Sequence, residues 1–277
     1  MCKCGFLVLF VLSFLISIQA QEFKSPRPSP DATVSQTVGI TKITVDYSSP
    51  AVKGRTIWGD LVPYGKIWRT GANEVTSITF DTPVSINGNK LDPGTYGIHT
   101  IPGEKEWTII FSKNTKADDP MDYDSTKDAL RINVTPEQNP FTERMIFTIT
   151  DMTENSAKVN LMWEKLKVTF NIDTDTQELV LKTARNLNAW SDLMSAATYC
   201  LRNNVNLDEG YKWILASEMI NENYWNQRIK AQYLAKMNKK DEAIVTMEKA
   251  IDYGSKMKEA PFDLDSMNKM LSEWKAK

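Results

Sequence analysis

The sequence predicts a chain of two unlike parts, an antiparallel β-sandwich or barrel followed by an α-helical repeat domain. Between residues 31 and 173, apolar and polar residues alternate with a period of two, as expected for half-buried strands. Short turns separate nine or ten such runs, a density typical of sandwiches and barrels. From residue 174 to residue 277, β-branched residues become rare and apolar residues recur at helical spacing. We therefore predict a β domain over residues 31–173 and a helical domain over residues 174–277.

Residues 1–20 have the composition of a signal peptide. Lys3 precedes an almost unbroken apolar run over residues 6–18, and the small residue Ala20 precedes a cleavage site before Gln21. The run is short for a membrane span, although an uncleaved anchor is the alternative. We expect an exported protein of the periplasm or the extracellular or outer-membrane-associated space, with no membrane span after cleavage.

The cysteine and histidine content excludes several kinds of site. Cys2 and Cys4 leave with the signal peptide, so Cys200 has no internal disulfide partner. One remaining thiol and one histidine, His99, exclude multi-thiolate and multi-histidine zinc sites. Without Lys3 the 33 basic residues become 32, against 35 acidic ones, and no basic run occurs. We expect no metal, no cofactor and no nucleic-acid partner.

The β domain begins after a proline-rich lead-in, residues 21–30, which is expected to be extended and either mobile or laid along a surface. Asn87-Gly88, between two alternating runs, predicts a hairpin because a type I′ turn needs positive φ at both central residues. Residues 113–127 are polar and acidic and are expected to be a surface excursion. The other predicted strands cover residues 34–38, 43–47, 76–80, 95–101, 106–112, 130–134, 145–150, 157–163 and 166–172.

The helical domain is expected to begin after Thr174 or Asp175, either of which can cap a helix. Two internally similar units follow, and the offset from Gly210 to Ala243 is 33 residues, one short of the tetratricopeptide period. The residues at tetratricopeptide-like positions are Thr198, Leu201, Gly210, Ile214 and Ser217, then Ala231, Leu234, Ala243, Met247 and Ala250. We predict a tetratricopeptide-like domain that contacts a protein partner.

Residues 62–74, V-P-Y-G-K-I-W-R-T-G-A-N-E, carry the candidate binding groups. Prolines and glycines interrupt regular structure here, and a loop this rich in polar and aromatic groups either binds something or braces a turn. No metal ligand is expected among them. The candidate ligand-binding residues are Tyr64, Lys66, Trp68, Arg69, Asn73 and Glu74 of this loop, with His99 of the strand over residues 95–101.

Two interpretations of these candidates compete. Arg69 can hold a carboxylate or phosphate with its planar guanidinium while Trp68 or Tyr64 stacks on a sugar or ring. The structural alternative, which we favour here, pairs Arg69 with Glu74 and packs the aromatic rings at the end of the β domain. His99 can act as a general base, but the sequence marks no nucleophile or second ligand beside it, which favours a structural role.

Several motifs, in one order over roughly residues 22–172, resemble the family called domain of unknown function 2911. They are S-P-R-P-S-P at Ser25, D-Y-S-S-P at Asp46, V-K-G-R at Val52, the loop over residues 62–74, L-D-P-G-T-Y at Leu91, I-P-G-E-K-E-W at Ile101 and W-E-K-L-K-V at Trp163. The resemblance implies a secreted or periplasmic protein of Gram-negative bacteria in which helical repeats often follow the β domain. It implies no activity.

The function expected from these observations is that of a non-enzymatic cell-envelope binding protein. Its β domain would bind a small ligand, a glycan or a partner, and its helices would contact another protein. The alternative is an envelope hydrolase that uses Glu74 or Asp46 with His99 or Lys66 as acid and base. No G-x-S-x-G, H-E-x-x-H or Walker motif occurs, which favours binding. Convergence of Arg69, Glu74 and His99 in one open concavity would favour the enzyme instead.

Overall fold

The computed structural model describes residues 25–116 and 122–276 of the chain. Ten strands come first in the described residues and six helices come after them, which confirms the predicted order of an antiparallel β region and a helical region. The signal peptide predicted over residues 1–20 and the start of the lead-in lie outside the described residues.

The strands form two antiparallel sheets. The first contains β1 (Asp31–Val38), β2 (Thr41–Ser48), β3 (Ser77–Phe80), β6 (Gly94–Ile101), β7 (Trp107–Ser112) and β8 (Asp128–Val134), in the order β1-β2-β3-β6-β7-β8. The second contains β4 (Val84–Ile86), β5 (Asn89–Leu91), β9 (Glu137–Thr150) and β10 (Ser156–Thr174), in the order β5-β4-β10-β9. Within the described residues both sheets are open, so the barrel alternative does not apply.

Side chains from both sheets form one hydrophobic core. Phe111 of β7 meets Phe170 of β10 edge-on, with ring centroids 5.5 Å apart, and Tyr47 of β2 meets Phe147 of β9 at 5.0 Å. The period-two alternation of the sequence has its cause here, because alternate side chains of each strand point to this core.

The hairpin predicted at Asn87-Gly88 is confirmed. β4 and β5 pair antiparallel with Ile86 opposite Asn89, and the two turn residues have φ values of 46° and 83°. Positive φ at both central positions matches the right-handed twist of the flanking strands.

The last two strands are longer than predicted. Residues 157–163 and 166–172 belong to one strand, β10, whose pairing with β9 shifts register on either side of Glu164. Glu164 has a φ of 56°, and such a bulge bends a strand without ending it. β9 begins at Glu137 rather than near residue 145. The prediction missed its first residues because they are mostly exposed and show no apolar alternation.

The helices are α1 (Thr176–Ala184), α2 (Trp190–Asn203), α3 (Leu207–Ile220), α4 (Tyr224–Lys236), α5 (Lys240–Ser255) and α6 (Leu264–Ala276). Asp175 caps α1 by accepting a hydrogen bond of 3.1 Å from the backbone N–H of Glu178, as predicted. In the described part of the chain, no helix has both the length and the apolar composition needed to cross a membrane.

The junction between the two regions is tight at one point. Gly39, in the turn between β1 and β2, has a φ of 58°, and a Cβ added there would collide with the Thr176 side chain and lie 2.6 Å from the carbonyl oxygen of Glu154. The Thr176 hydroxyl donates to that same carbonyl at 2.7 Å. This contact holds the start of α1 against two β-domain turns.

Candidate functional site

The loop over residues 62–74 is attached to the end of β6. The backbone groups of Trp68 and Thr100 exchange two hydrogen bonds of 2.8 Å, and the N–H of Gly65 donates to the carbonyl of Pro102 at 2.8 Å. Buried hydroxyl groups continue the attachment, since Thr70 donates to Thr100 at 3.2 Å and Thr76 donates to the Thr70 carbonyl at 2.6 Å. The loop is therefore fixed from one end to the other.

Two residues of the loop other than glycine adopt left-handed backbone conformations, Thr70 with a φ of 59° and Asn73 with a φ of 57°. For a β-branched residue such as Thr70 this conformation is unusual and unfavourable. The buried hydrogen bonds around Thr70 offset that energy, and the result is a backbone that turns sharply directly after Arg69.

Four tryptophans meet where the loop crosses the end of the core, and we call them the tryptophan cluster: Trp58, Trp68, Trp107 and Trp163. The ring of Trp58 lies edge-on to the other three at centroid distances of 5.0–6.0 Å. The rings of Trp68 and Trp163 stack at 6.0 Å with planes 21° apart. Such aromatic pairs add stabilisation beyond their buried area.

The indole N–H groups of the tryptophan cluster differ in whether they have a hydrogen-bond acceptor. Trp68 Nε1 donates to the carbonyl of Gly71 at 3.1 Å. The buried Nε1 atoms of Trp58, Trp107 and Trp163 have no hydrogen-bond partner among the described residues. Most buried polar groups in proteins are hydrogen-bonded, so three orphan donors in one cluster require an explanation.

A cavity of about 370 Å³ opens beside the tryptophan cluster, and we call it the arginine–tryptophan cavity. Residues from distant parts of the chain line it, including Ser29, Arg55, Leu61, Val62, Trp68, Arg69 and Trp163. No acidic side chain is among its described lining residues.

Arg55 is held in place at this cavity. Its Nε donates to the carbonyl of Val52 at 3.1 Å and its Nη2 donates to the carbonyl of Ala51 at 2.6 Å. Its Nη1 makes no hydrogen bond within the described residues. The two backbone bonds set the orientation of the guanidinium without neutralising its charge, so it can still receive an anion.

The predicted ion pair between Arg69 and Glu74 is wrong. Arg69 lines the arginine–tryptophan cavity, whereas Glu74 lines a separate depression with Asp31 and Asp46. The Glu74 carboxylate instead accepts a hydrogen bond of 2.7 Å from Nη2 of Arg27, which holds the pKa of Glu74 below its ordinary value. The left-handed turn at residue 73 separates the two side chains, and sequence proximity does not indicate that turn.

The other loop candidates lie outside the cavity. Tyr64 and Lys66 are exposed, and Tyr64 packs its ring beside Gly59. Asn73 donates from Nδ2 to the carbonyl of Ser29 at 3.0 Å and to the hydroxyl of Ser48 at 3.2 Å. Of the loop candidates, Trp68 and Arg69 reach the cavity, and Asn73 braces its edge.

The acid–base candidates are dispersed. His99 is fully buried in β6, with its ring 5.1 Å from that of Tyr123. Asp46 accepts a hydrogen bond of 2.6 Å from Thr33 on the depression that it shares with Glu74. The three groups whose convergence would favour an enzyme therefore lie apart: Arg69 at the cavity, Glu74 at the other depression and His99 in the sheet.

A family model described as "Protein of unknown function (DUF2911)" matches residues 29–172, which are 144 of the 277 residues. The chain belongs to the DUF2911 family. No curated protein and no solved structure matches the chain significantly. The DUF2911 match ends two residues before the end of β10, so the helices come after the matched region.

Among the residues that the structure describes, all those that line the arginine–tryptophan cavity lie in the DUF2911 region. Sequence reasoning missed Arg55 and Trp163 as site residues, although both stand inside the family motifs V-K-G-R and W-E-K-L-K-V. Their position inside these motifs was the sequence signal that could have identified them as site residues. Their 108-residue separation, from position 55 to position 163, hid their common location.

Proposed function

We propose that this protein is an exported, non-enzymatic binding protein whose DUF2911 domain, interpreted as a β-sandwich, holds a small ligand or glycan unit in the arginine–tryptophan cavity. The observation that carries the proposal is the convergence of Arg55, Arg69, Trp68 and Trp163 on one cavity of about 370 Å³. Cavities of roughly 300–1,000 Å³ with aromatic walls and a few polar groups are typical of small-molecule sites.

The chemistry of the walls supports binding of an anionic ligand. A planar guanidinium recognises a carboxylate through two parallel hydrogen bonds, and an indole ring offers an apolar face to a flat ligand. Arg55 supports this role because backbone carbonyls already hold its orientation. A preorganised group loses little entropy when a ligand arrives.

Binding is favoured over hydrolysis by the dispersal of the acid–base groups. A general base must reach the proton that it removes, directly or through one water. His99 is fully buried in the sheet, and Glu74 lies in a different depression from Arg69. Both groups therefore lie away from a ligand held in the arginine–tryptophan cavity.

We further propose that the helical domain is tetratricopeptide-like and contacts a protein partner. The helical hairpins α2–α3 and α4–α5 begin at Trp190 and Tyr224, 34 residues apart, which equals the tetratricopeptide period. The corresponding small and large residues of α3 and α5 are buried in both hairpins: Gly210 and Ala243, Ile214 and Met247, Ser217 and Ala250.

A ligand screen by thermal shift tests the binding function. Small acids and oligosaccharides are screened against the wild type and against Ala72→Trp, which adds bulk to the cavity wall. The matched control is Lys66→Ala, on the same loop but outside the cavity. We expect hits that bind the wild type and the control but not the filled variant. Hits that bind all three equally would place binding elsewhere and contradict the proposal.

Export is tested by sequencing the N-terminus of the protein isolated from its native cells. The apolar run over residues 6–18 and Ala20 lead us to expect a mature chain that begins at Gln21. A soluble cytoplasmic protein that retains Met1 would contradict this.

A further inference from the structure

A groove of about 370 Å³ lies where the first two helices meet the β domain, and we call it the α1–α2 groove. Each helix contributes one face, because its lining residues recur at positions i, i+3, i+4 and i+7. The turn between β1 and β2 contributes Ile40. The helical lining residues are Val180, Thr183, Ala184 and Leu187 from α1 and the turn after it, and Asp192, Ser195, Ala196 and Tyr199 from α2.

The walls of the α1–α2 groove are mostly apolar. Ile40 is 44% exposed, and Val180 and Leu187 are half-buried. The hydroxyl groups of Thr183 and Ser195 donate to the backbone carbonyls four residues earlier in their own helices, at 3.0 and 2.8 Å. Those hydroxyls therefore do not need a ligand to satisfy their donors. The groove offers an apolar surface of the kind that receives a hydrocarbon group.

The charge of the α1–α2 groove is negative. Asp192 is the one charged residue among the described residues that line it. Tyr199 stands about 10 Å from Asp192 along α2, at 1.5 Å per residue. Burial raises the pKa of Tyr199, and the nearby carboxylates of Glu154 and Asp175 raise it further. Both ends of the groove therefore lie in the field of carboxylates.

The neighbouring basic side chains do not cancel this charge at the lining. Arg185 forms ion pairs with Glu178 and with Glu209 of α3. Lys182 stands on the opposite face of α1 from the lining residues, since two positions correspond to about half a helical turn. Arg202 lies almost one turn beyond the last lining residue of α2 and is not among the described lining residues.

We infer that the α1–α2 groove binds a small amphipathic cation, a ligand with a hydrocarbon chain and an ammonium head. The chain lies between the two helix faces and against Ile40, and the head pairs with Asp192. Apolar walls supply affinity through burial of the chain, and the carboxylate selects the sign of the head. This site lies outside the arginine–tryptophan cavity, so the inference does not depend on the proposed ligand of that cavity.

Three probes with the same chain length separate the charge from the chain: n-octylamine, which is an ammonium ion at neutral pH, octan-1-ol and octanoate. Titration calorimetry with the full mature chain measures their affinities. We expect octylamine to bind most tightly and octanoate least tightly. Butylamine should bind at least about tenfold more weakly than octylamine, because it buries four fewer methylene groups.

Asp192→Asn tests the pairing with the head, because it removes the charge and keeps the size of the side chain. It should lower the ratio of octylamine affinity to octan-1-ol affinity about three- to fivefold, the contribution of an exposed ion pair, and leave the octan-1-ol affinity unchanged. The matched control is Asp265→Asn. Asp265 lies in the first turn of α6, as Asp192 lies in the first turn of α2, and the control should leave the ratio unchanged.

Ser195→Trp tests the location of the chain, because it adds bulk to the groove from an exposed position of α2. It should abolish binding of the probes. Ser272→Trp, at an exposed position of α6 where the hydroxyl likewise donates to the carbonyl four residues earlier, should not. In the wild type, the methyl resonances of Ile40 should shift on addition of octylamine. That readout keeps the test valid if Ser195→Trp does not fold.

Each contrary result is specific. A ratio that Asp192→Asn leaves unchanged would overturn the selection of a cation. Binding that persists in Ser195→Trp, unshifted Ile40 methyl resonances, or failure of every probe to bind would overturn the groove as a site. Repeating the titrations with Ala72→Trp separates the two sites, since filling the arginine–tryptophan cavity should leave octylamine binding unchanged. Loss of octylamine binding in Ala72→Trp would overturn the groove and not the cavity.

Discussion

Nη2 of Arg27 lies 2.7 Å from Oε1 of Glu74 and joins residues 25–30 to the loop that carries the cavity. We call residues 25–30 the N-terminal strap. In the strap, the carbonyl of Ser29 accepts a hydrogen bond from the Asn73 side chain, and the carbonyl of Pro30 accepts one from the backbone N–H of Ser49. Because Ser29 is itself part of the cavity wall, this ion pair helps to position one wall of the arginine–tryptophan cavity.

Breaking this pair should loosen the strap with little effect on overall stability. Both side chains are largely exposed, and exposed ion pairs contribute little to the free energy of unfolding. A nitroxide attached to Ser25→Cys should become more mobile by electron paramagnetic resonance when Glu74→Gln is added, while the melting temperature stays nearly constant. Cys200 should not interfere, since it is fully buried and burial raises the pKa of its thiol.

The control for that experiment is Lys158→Ala, which removes a comparably exposed ion pair with Asp151 far from the strap in sequence. It should leave the nitroxide spectrum unchanged. A strap that stays immobile in Glu74→Gln would show that its other contacts, among them the hydrogen bonds from Asn73 and Ser49, are sufficient to hold it.

The strap should also loosen in acid. The hydrogen bond from Arg27 lowers the pKa of Glu74 below the ordinary glutamate value of about 4.3. The carboxylate therefore contributes its full stabilisation above that ordinary value and loses it as the pH falls through the lowered pKa. Arg27 stays charged throughout because its own pKa is raised. Nitroxide mobility should rise on acidification in the wild type and should rise less in Glu74→Gln, in which Nη1 of Arg27 still pairs with Asp31 at 2.9 Å.

In the tryptophan cluster, we expect the more deeply buried Trp107 to be less costly to replace, in free energy of unfolding, than the half-buried Trp68. Trp107 is fully buried, but its Nε1 has no acceptor among the described residues, whereas Nε1 of the half-buried Trp68 donates to the buried Gly71. Trp107→Phe removes a buried, unsatisfied donor, whereas Trp68→Phe leaves a carbonyl without its donor. We expect Trp107→Phe to destabilise less than Trp68→Phe by about 1 kcal/mol in urea unfolding. A larger loss for Trp107→Phe would mean that packing volume dominates.

At Gly210, helix propensity and side-chain packing predict opposite effects of a glycine-to-alanine change on stability. In an isolated helix, Gly→Ala stabilises by about 1 kcal/mol. In α3, however, a Cβ at Gly210 would collide with the Tyr233 hydroxyl and lie 2.8 Å from Cβ of Cys200. We expect Gly210→Ala to destabilise by about 1–3 kcal/mol in chemical unfolding.

Two further variants control the Gly210 experiment. Ser272→Ala, at an exposed position of α6, should change the free energy of unfolding by less than about 0.5 kcal/mol. Combining Gly210→Ala with Tyr233→Phe should cost less than the sum of the two single changes, because removing the hydroxyl makes room for the methyl group. Additive costs would show that the clash is relieved in another way.

Local features of the fold were predictable because a few neighbouring residues decide them. Asn87 and Gly88 accept positive φ, so the hairpin follows from two residues, and Asp175 caps α1 through a hydrogen bond to a residue three positions away. β10 could not be predicted as one strand, because its continuation past Glu164 depends on pairing with a distant strand. The predicted compartment and the predicted ligand stay predictions.

The antiparallel strands, the change to helices near residue 174 and the DUF2911 family all follow from the amino-acid sequence, since periodicity and motif order are properties of the chain alone. The pairing of Glu74 with Arg27 rather than Arg69, and the common cavity of Arg55, Trp68 and Trp163, follow from the folded arrangement. A side chain's partner depends on which distant segments the common core of the two sheets brings together. That packing is settled by the whole chain at once, and no local pattern encodes it.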